Sequence, residues 1–238
     1  MYCSKPQKKD AFEPMHTLSA LNLTKTYIQN GVSTHVLDNV TYEFNTKHSY
    51  AITGVSGTGK STLLHILAGI DAPTSGHVLY DGTSIYDFSR AKKNNFLKKT
   101  VGLVFQDPYL IKELTVAENV MLKALIDGSA EAATRKHARE LLDLVGLADK
   151  ADHHPLSLSG GQQQRIAVLR AIFNRPQFLL TDEPTGNLDA ENARSIITLL
   201  LSGTQEGMGL IICSHDPMIA SNLSRKLELK NGRIYDLN

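Results

Sequence analysis

The feature that most constrains the fold is the run GVSGTGKST, Gly54 to Thr62. It follows the apolar run SYAIT and precedes STLLHILAGI, so it lies between a predicted strand and a predicted helix. The pattern G-x-x-x-x-G-K-[ST] in that setting predicts a loop whose main-chain N–H groups bind phosphate. We expect Lys60 to place its charge on the β- and γ-phosphates and Ser61 to be a ligand of Mg²⁺. The nucleotide-binding residues predicted here are Gly54, Val55, Ser56, Gly57, Thr58, Gly59, Lys60, Ser61 and Thr62.

The order of the predicted elements indicates an α/β fold. Short strand-like runs alternate with turns from Thr17 to Phe44, which predicts an antiparallel β layer. The apolar runs in FLLTDE and LIICSH, with the helical pattern ENARSIITLLL between them, predict a βαβ unit of a parallel sheet. Helical patterns dominate between Asp87 and Leu147. We therefore predict a P-loop NTPase core with an antiparallel β layer and a helical insertion subdomain.

We expect one domain over residues 16–238, with the helical subdomain at approximately 87–172. Residues 1–15 are polar and contain two prolines, so we predict a flexible N-terminal tail. The formal net charge is +1, so no global field attracts the chain to nucleic acid or lipid. No apolar run reaches the roughly 20 residues of a membrane helix, and two distant cysteines favour a reduced, cytosolic location. A role at a membrane would therefore need a partner that spans it.

Polar residues follow three predicted strands. Asp182 ends the run FLLTDE and can hold Mg²⁺, while Glu183 can polarise a water molecule for attack on the γ-phosphate. His215 follows LIIC, and Gln106 follows VGLVF, so both are expected at the carboxyl edge where open α/β sheets bind ligands. Two alternatives stay open: the acidic pair is a solvated strand end, and a lone histidine is structural.

A second candidate phosphate-binding segment lies about a hundred residues after the glycine-rich run. LSLSGGQQQRIAVLRA holds Ser159, Gly160 and Gly161 at the start of an amphipathic helical pattern. The N-terminus of a helix attracts an anion because its first N–H groups lack intrahelical partners. The sequence therefore raises the question of why a protein with one nucleotide site has two phosphate-binding segments.

Taken in order, GVSGTGKST, Gln106, LSGGQ, FLLTDEP, GNLD and His215 resemble the ATP-binding cassette (ABC) ATPase family, from Leu18 nearly to the end of the chain. The resemblance implies a head-to-tail homodimer with two ATP molecules between the subunits. In that arrangement Ser159, Gly160, Gly161 and Gln162 of one copy face the γ-phosphate in the glycine-rich loop of the other.

The resemblance also assigns roles to single residues. It makes Glu183 the catalytic base and Asp182 a magnesium ligand. Gln106 and His215 match the two sensor positions: Gln106 is expected to contact Mg²⁺ or the attacking water, and His215 the γ-phosphate. Asp189 matches a loop that signals across the dimer. Tyr27 matches an aromatic residue that stacks on adenine, although a tyrosine in a strand is as easily part of a core. The implied activity is hydrolysis of ATP with Mg²⁺.

Within the family, DEPTGNLD and VGLVFQDPYLIKELTVAENV most resemble the lipoprotein-release (LolD-type) and macrolide-export (MacB-type) cassettes. That resemblance implies an integral membrane permease subunit as partner and a location on the cytoplasmic face of the inner membrane. The segment DPYLIKEL departs from the lipoprotein-release pattern, and in this family such a segment meets the membrane subunit. The transported substrate therefore stays open.

Two other functional classes of cassette are alternatives to a transport ATPase. A regulatory cell-division (FtsE-type) cassette passes force through a membrane partner to cell-wall enzymes and uses the same catalytic residues. Soluble mechanical ATPases of DNA repair or translation carry long coiled-coil insertions or two cassettes in one chain. The sequence has neither feature, and its charge is near neutral.

Overall fold

The computed structural model describes residues 14–129, 131–186 and 188–237. Its strands, in chain order, are β1 (Thr17–Gln29), β2 (Val32–Asn45), β3 (Ser49–Thr53), β4 (Ser75–Tyr80), β5 (Thr83–Ser84), β6 (Val101–Val104), β7 (Phe178–Asp182), β8 (Gly209–Cys213), β9 (Arg225–Lys230) and β10 (Arg233–Asp236). Its α-helices are α1 (Lys60–Leu67), α2 (Arg90–Asn95), α3 (Val116–Ile126), α4 (Glu131–Leu144), α5 (Gly160–Ile172), α6 (Ala190–Gln205) and α7 (Pro217–Ser221). Of the tail predicted for residues 1–15, residues 1–13 lie outside the described part of the chain.

The N-terminal strands form the predicted antiparallel layer, a four-stranded sheet in the order β2-β1-β4-β5. A tight turn joins β1 to β2, and Asn30 and Gly31 occupy it with φ of 51° and 78°. Asn-Gly suits this left-handed turn because it matches the twist of the flanking strands. The register pairs Leu18 with Phe44 on one side and with Tyr80 on the other.

The second sheet is mainly parallel, with six strands in the order β10-β9-β3-β8-β7-β6. β3 pairs in parallel with β8 and β9, β7 pairs in parallel with β8 and β6, and β10 is antiparallel to β9. All five residues of β7 and of β8 are buried, as expected for strands covered on both faces. This architecture confirms the predicted α/β fold.

Helix α1 connects the two sheets through their shared apolar core. Leu63, Leu64, Ile66 and Leu67 are fully buried in one cluster with residues of both sheets. Residues 54–59 join β3 to this helix, so the packing of both elements holds that loop at the edge of the parallel sheet. The loop is therefore anchored at both ends by elements packed in the core.

A separate apolar cluster joins helices α3, α4 and α5. Residues 87–172, which we predict as a helical subdomain, also include β6, which pairs with β7 in the main sheet. Buried Asn119 fixes the segment before α3, since its side chain accepts from the Ile111 N–H and donates to the carbonyls of Ile111, Leu114 and Thr115. Among the described residues, no helix combines the length and apolar character that crossing a bilayer requires.

Candidate active site

The glycine-rich loop, residues 54–59, lies between β3 and α1 as predicted. Gly54 and Gly59 have φ of 149° and 102°, and a Cβ at either position would approach neighbouring atoms closely. The Cβ at Gly54 would lie 2.5 Å from the Leu229 carbonyl oxygen, and that at Gly59 would lie 2.7 Å from a Val36 methyl carbon. Both positions therefore need glycine for torsion and for space.

The start of α1 is open to an anion. Gly59 is the N-cap, and no side chain caps the helix. Its first N–H groups are therefore free of side-chain acceptors and carry the positive end of the helix dipole. Lys60 is buried, and its Nζ donates to the carbonyl oxygens of Gly54 and Val55 at 2.8 and 3.2 Å. The ammonium group thus lies inside the loop, where phosphate oxygens can compete for it.

Asp182 is the last residue of β7 and lies next to the start of α1. Burial raises the pKa of its carboxyl group, and a hydrogen bond from Ser61 and the charges of His65 and Lys60 oppose that rise. A hydroxyl and a carboxylate at a phosphate-binding loop are the hard oxygen donors that Mg²⁺ prefers. Ser61 and Asp182 therefore fit the metal, and we expect them to hold it. When bound, Mg²⁺ neutralises charge on the β- and γ-phosphate oxygens.

Glu183 is held by the end of the neighbouring strand. Its Oε1 accepts from the His215 N–H at 3.1 Å and lies 2.7 Å from His215 Nδ1, and its Oε2 accepts from the Ser214 hydroxyl at 2.9 Å. Its own N–H donates to the Cys213 carbonyl. The backbone of Glu183 has φ of 44°, a left-handed conformation that is rare outside glycine. Three contacts thus fix the Glu183 carboxylate at the sheet edge, and a fourth hydrogen bond fixes its backbone.

His215 differs from its partner in exposure. Its side chain is 75% exposed, while that of Glu183 is 13% exposed. Because a carboxylate only accepts hydrogen bonds, Nδ1 of His215 carries the hydrogen and Nε2 is left for another partner. Sequence reasoning missed Ser214, whose only signal was its place between the buried strand and His215.

Gln106 lies two residues beyond β6 and is exposed. The segment around it is tied to α5. Buried Gln164 donates to the Phe105 carbonyl at 3.2 Å, and both terminal nitrogens of Arg170 donate to the carbonyls of Pro108 and Tyr109. Sequence reasoning missed both of these α5 residues, because their partners are main-chain groups some sixty positions away.

Tyr27 lies near the exposed end of β1, and 42% of its surface is accessible. Its hydroxyl donates to Asp71, and the ammonium of Lys25 lies 4.7 Å from the ring centroid. Lys25 also pairs with Asp71 at 2.8 Å. The ring is therefore held in place at the surface rather than packed in the core, and its role toward adenine stays a prediction.

The segment Ser159–Gln162 begins α5, away from the glycine-rich loop. Ser159 and Gln162 cap the helix reciprocally, since each side chain accepts from the other residue's N–H. Ser159 and Gly160 are exposed, and a Cβ at Gly160 would meet no heavy atom within 4 Å. Within the described part of the chain, no hydrogen bond joins residues 159–162 to residues 54–62.

Asp189 caps another helix, α6. Its Oδ1 accepts from the N–H groups of Glu191 and Asn192, and these bonds lower the pKa of its carboxyl group. The structure thus gives Asp189 a local capping contact, while the predicted signalling role across a dimer stays a prediction.

The sequence profile of the ABC transporter family matches residues 37–186, which include the glycine-rich loop, the α5 start and the acidic strand end. The chain belongs to the ABC transporter family. Because cassettes of this family hydrolyse ATP, the protein is an ATPase with ATP as its nucleotide and Mg²⁺ as the accompanying ion.

The cassette is similar to solved structures of the ATP-binding cassette MJ0796. One is a dimeric post-hydrolysis state bound to ADP and Pi, with 33% identity, a TM-score of 0.86 and coverage of 93% of this chain and 99% of that chain. The other is a dimeric structure of MJ0796 described as a bacterial ABC transporter cassette, with 34% identity, the same TM-score and the same coverage.

We predict that Ser214→Ala lowers ATP turnover about tenfold, because Glu183 loses a hydrogen bond to its charged carboxylate. ATP affinity should change little, since Ser214 lies at the β8 end and not in the glycine-rich loop. Steady-state phosphate release and equilibrium nucleotide binding measure the two effects. Ser195→Ala, on the exposed face of α6, is the matched control. Parental turnover in Ser214→Ala would contradict the positioning role.

Proposed function

We propose that the cassette is the ATP-hydrolysing subunit of a membrane transporter and works as a dimer around two ATP molecules. The observation that carries the proposal is the exposed, capped start of α5, which makes no hydrogen bond to the chain's own glycine-rich loop among the described residues. Residues 159–162 of one copy bind the γ-phosphate held by residues 54–62 of the other. The dimeric MJ0796 structures support this arrangement by similarity.

The roles proposed at each composite site combine the geometry described above with the roles that the family resemblance implies. The glycine-rich loop and Lys60 bind the phosphates, and Tyr27 stacks on adenine. Glu183 accepts a proton from a water molecule whose oxygen attacks the γ-phosphorus, while the bond from that phosphorus to the ADP oxygen breaks. His215 and Gln106 orient the γ-phosphate and the water. Asp189 belongs to the loop that we propose carries the signal between the two nucleotide sites across the dimer.

Hydrolysis opens the dimer. Before the reaction, the γ-phosphate joins the two copies because each helix start supplies N–H donors and partial positive charge to it. After the reaction, phosphate is no longer attached to ADP, and the closed state loses this contact. The opening and closing drive a separate integral membrane subunit from the cytoplasmic face of the inner membrane. The proposed group is the lipoprotein-release and macrolide-export type.

We predict that Glu183→Gln lowers turnover at least about 100-fold, the contribution typical of a general base, and leaves ATP binding intact. The variant should accumulate as a dimer with ATP but not with ADP, which sedimentation velocity measures. Glu191→Gln, an exposed acid in the first turn of α6, is the matched control. Near-parental turnover in Glu183→Gln would show that Glu183 is not the catalytic base.

Mixed dimers test whether the site is shared. Lys60→Ala disables one glycine-rich loop, and Ser159→Ala disables one α5 start. A mixture of the two variants contains dimers with one fully intact composite site, so we expect activity well above that of either parent. Differently tagged copies purified together establish that mixed dimers form. Parental activity in those purified dimers would show that Ser159 acts only on its own chain.

The identity of the membrane partner distinguishes the lipoprotein-release and macrolide-export types from the regulatory cell-division type. Tagged Glu183→Gln protein is held with ATP in gently solubilised native membranes, and its partners are identified by mass spectrometry; ADP serves as the control. We expect a four-helix membrane protein with a large extracytoplasmic domain. A cell-division membrane protein would favour the regulatory alternative, and soluble partners alone would contradict membrane docking.

A further inference from the structure

His65 lies one helical turn after Ser61, so the two side chains share a face of α1. Burial raises the pKa of the Asp182 carboxyl group, and the charge of His65 opposes that rise, so the imidazole lies near the end of β7 as well. The His65 side chain is half-buried, and it makes no hydrogen bond and no ion pair with the described residues. None of the roles proposed for the site uses this histidine.

The His65 ring packs against Phe105, the residue directly before Gln106. The two ring centroids lie 5.6 Å apart with 54° between the ring planes, a spacing at which aromatic rings attract each other. Tyr109 contacts the same Phe105 ring edge-on, at 5.3 Å and 90°. Phe105 therefore lies between a ring from α1 and a ring of its own segment.

The ring contact holds the chain where the sheet no longer does. β6 ends at Val104, so Phe105 is the first residue beyond the strand and Gln106 the second. Gln164 binds the Phe105 carbonyl from α5, and His65 packs on the Phe105 side chain from α1. The Gln106 side chain is exposed and makes no hydrogen bond with the described residues, so its direction follows from how Phe105 is held.

We propose that His65 is a positioning residue for ATP hydrolysis. Its ring fixes Phe105 and thereby directs the Gln106 amide toward Mg²⁺ or the attacking water. This inference rests on the role proposed for Gln106 and adds the α1 residue through which that role is set. It connects the helix that begins at the phosphate-binding loop to the strand end that carries Gln106.

The proposed role affects hydrolysis and leaves nucleotide binding unchanged. Without the His65 ring, Phe105 loses one of its two aromatic neighbours and turns into the space left, and Gln106 turns with it. A small displacement of an orienting group lowers a rate because fewer conformers are productive. The phosphates are held by the glycine-rich loop and Lys60, whose hydrogen bonds do not involve the His65 side chain.

Steady-state kinetics on the full chain test the ring contact. His65→Ala should lower kcat about fivefold and leave KM for ATP within about twofold, since only the geometry of hydrolysis changes. His65→Phe keeps an aromatic ring and removes the imidazole charge, so it should retain nearly parental kcat. His137→Ala on α4 is the matched control and should keep parental kcat, because the half-buried His137 makes the same kind of contact, 4.9 Å and 53° from the Phe173 ring, outside the nucleotide site.

A double-mutant cycle with Gln106→Ala distinguishes positioning from a general loss of stability. If His65 acts through Gln106, adding His65→Ala to Gln106→Ala should lower kcat little further. A purely structural effect of His65 would instead multiply the two losses. Thermal denaturation shows which variants fold. Phe105→Leu removes the other ring of the pair and keeps apolar bulk, so it replaces His65→Ala in the cycle where that variant fails to fold.

The outcomes separate this inference from the role proposed for Gln106. Where Gln106→Ala lowers kcat, parental kcat in His65→Ala or losses that multiply in the cycle would overturn the inference alone. A loss in His65→Phe or in His137→Ala as large as that in His65→Ala would also overturn it alone. Parental kcat in Gln106→Ala would overturn the role proposed for Gln106 and the inference with it.

Discussion

Parallel pairing of β3, β8, β7 and β6 is the constraint on which the site depends. It brings the carboxyl ends of four strands to one edge, where the glycine-rich loop, Asp182, Glu183 and the Ser214–His215 pair all begin. The Glu183 N–H bond to the Cys213 carbonyl extends this pairing by one residue and turns the chain. Together with the bonds from Ser214 and His215, it holds the left-handed backbone of Glu183 against the end of β8.

The fold and much of the site could be predicted because their signals are local. A glycine pattern between a strand and a helix, buried apolar runs and polar residues at strand ends each occupy a few consecutive positions. The contacts of Ser214, Gln164 and Arg170 could not be predicted in the same way. Two of these side chains bond main-chain carbonyls far along the chain, and no residue type marks such an acceptor.

Helix α5 connects two parts of the proposed mechanism. Its start carries Ser159, which we propose binds the partner's nucleotide, and its body holds the Gln106 segment through Gln164 and Arg170. A shift of the helix start would therefore move the chain that carries Gln106.

The most direct test of the shared site uses an ATP analogue with a photoreactive group on the γ-phosphate. Isotopically labelled Lys60→Ala protein, which cannot hold nucleotide in its own loop, is mixed with unlabelled Glu183→Gln protein and irradiated. The account predicts that residues 159–162 of the Lys60→Ala copy become labelled. Labelling confined to the Glu183→Gln copy, in mixtures where mixed dimers have formed, would contradict a site built from two copies.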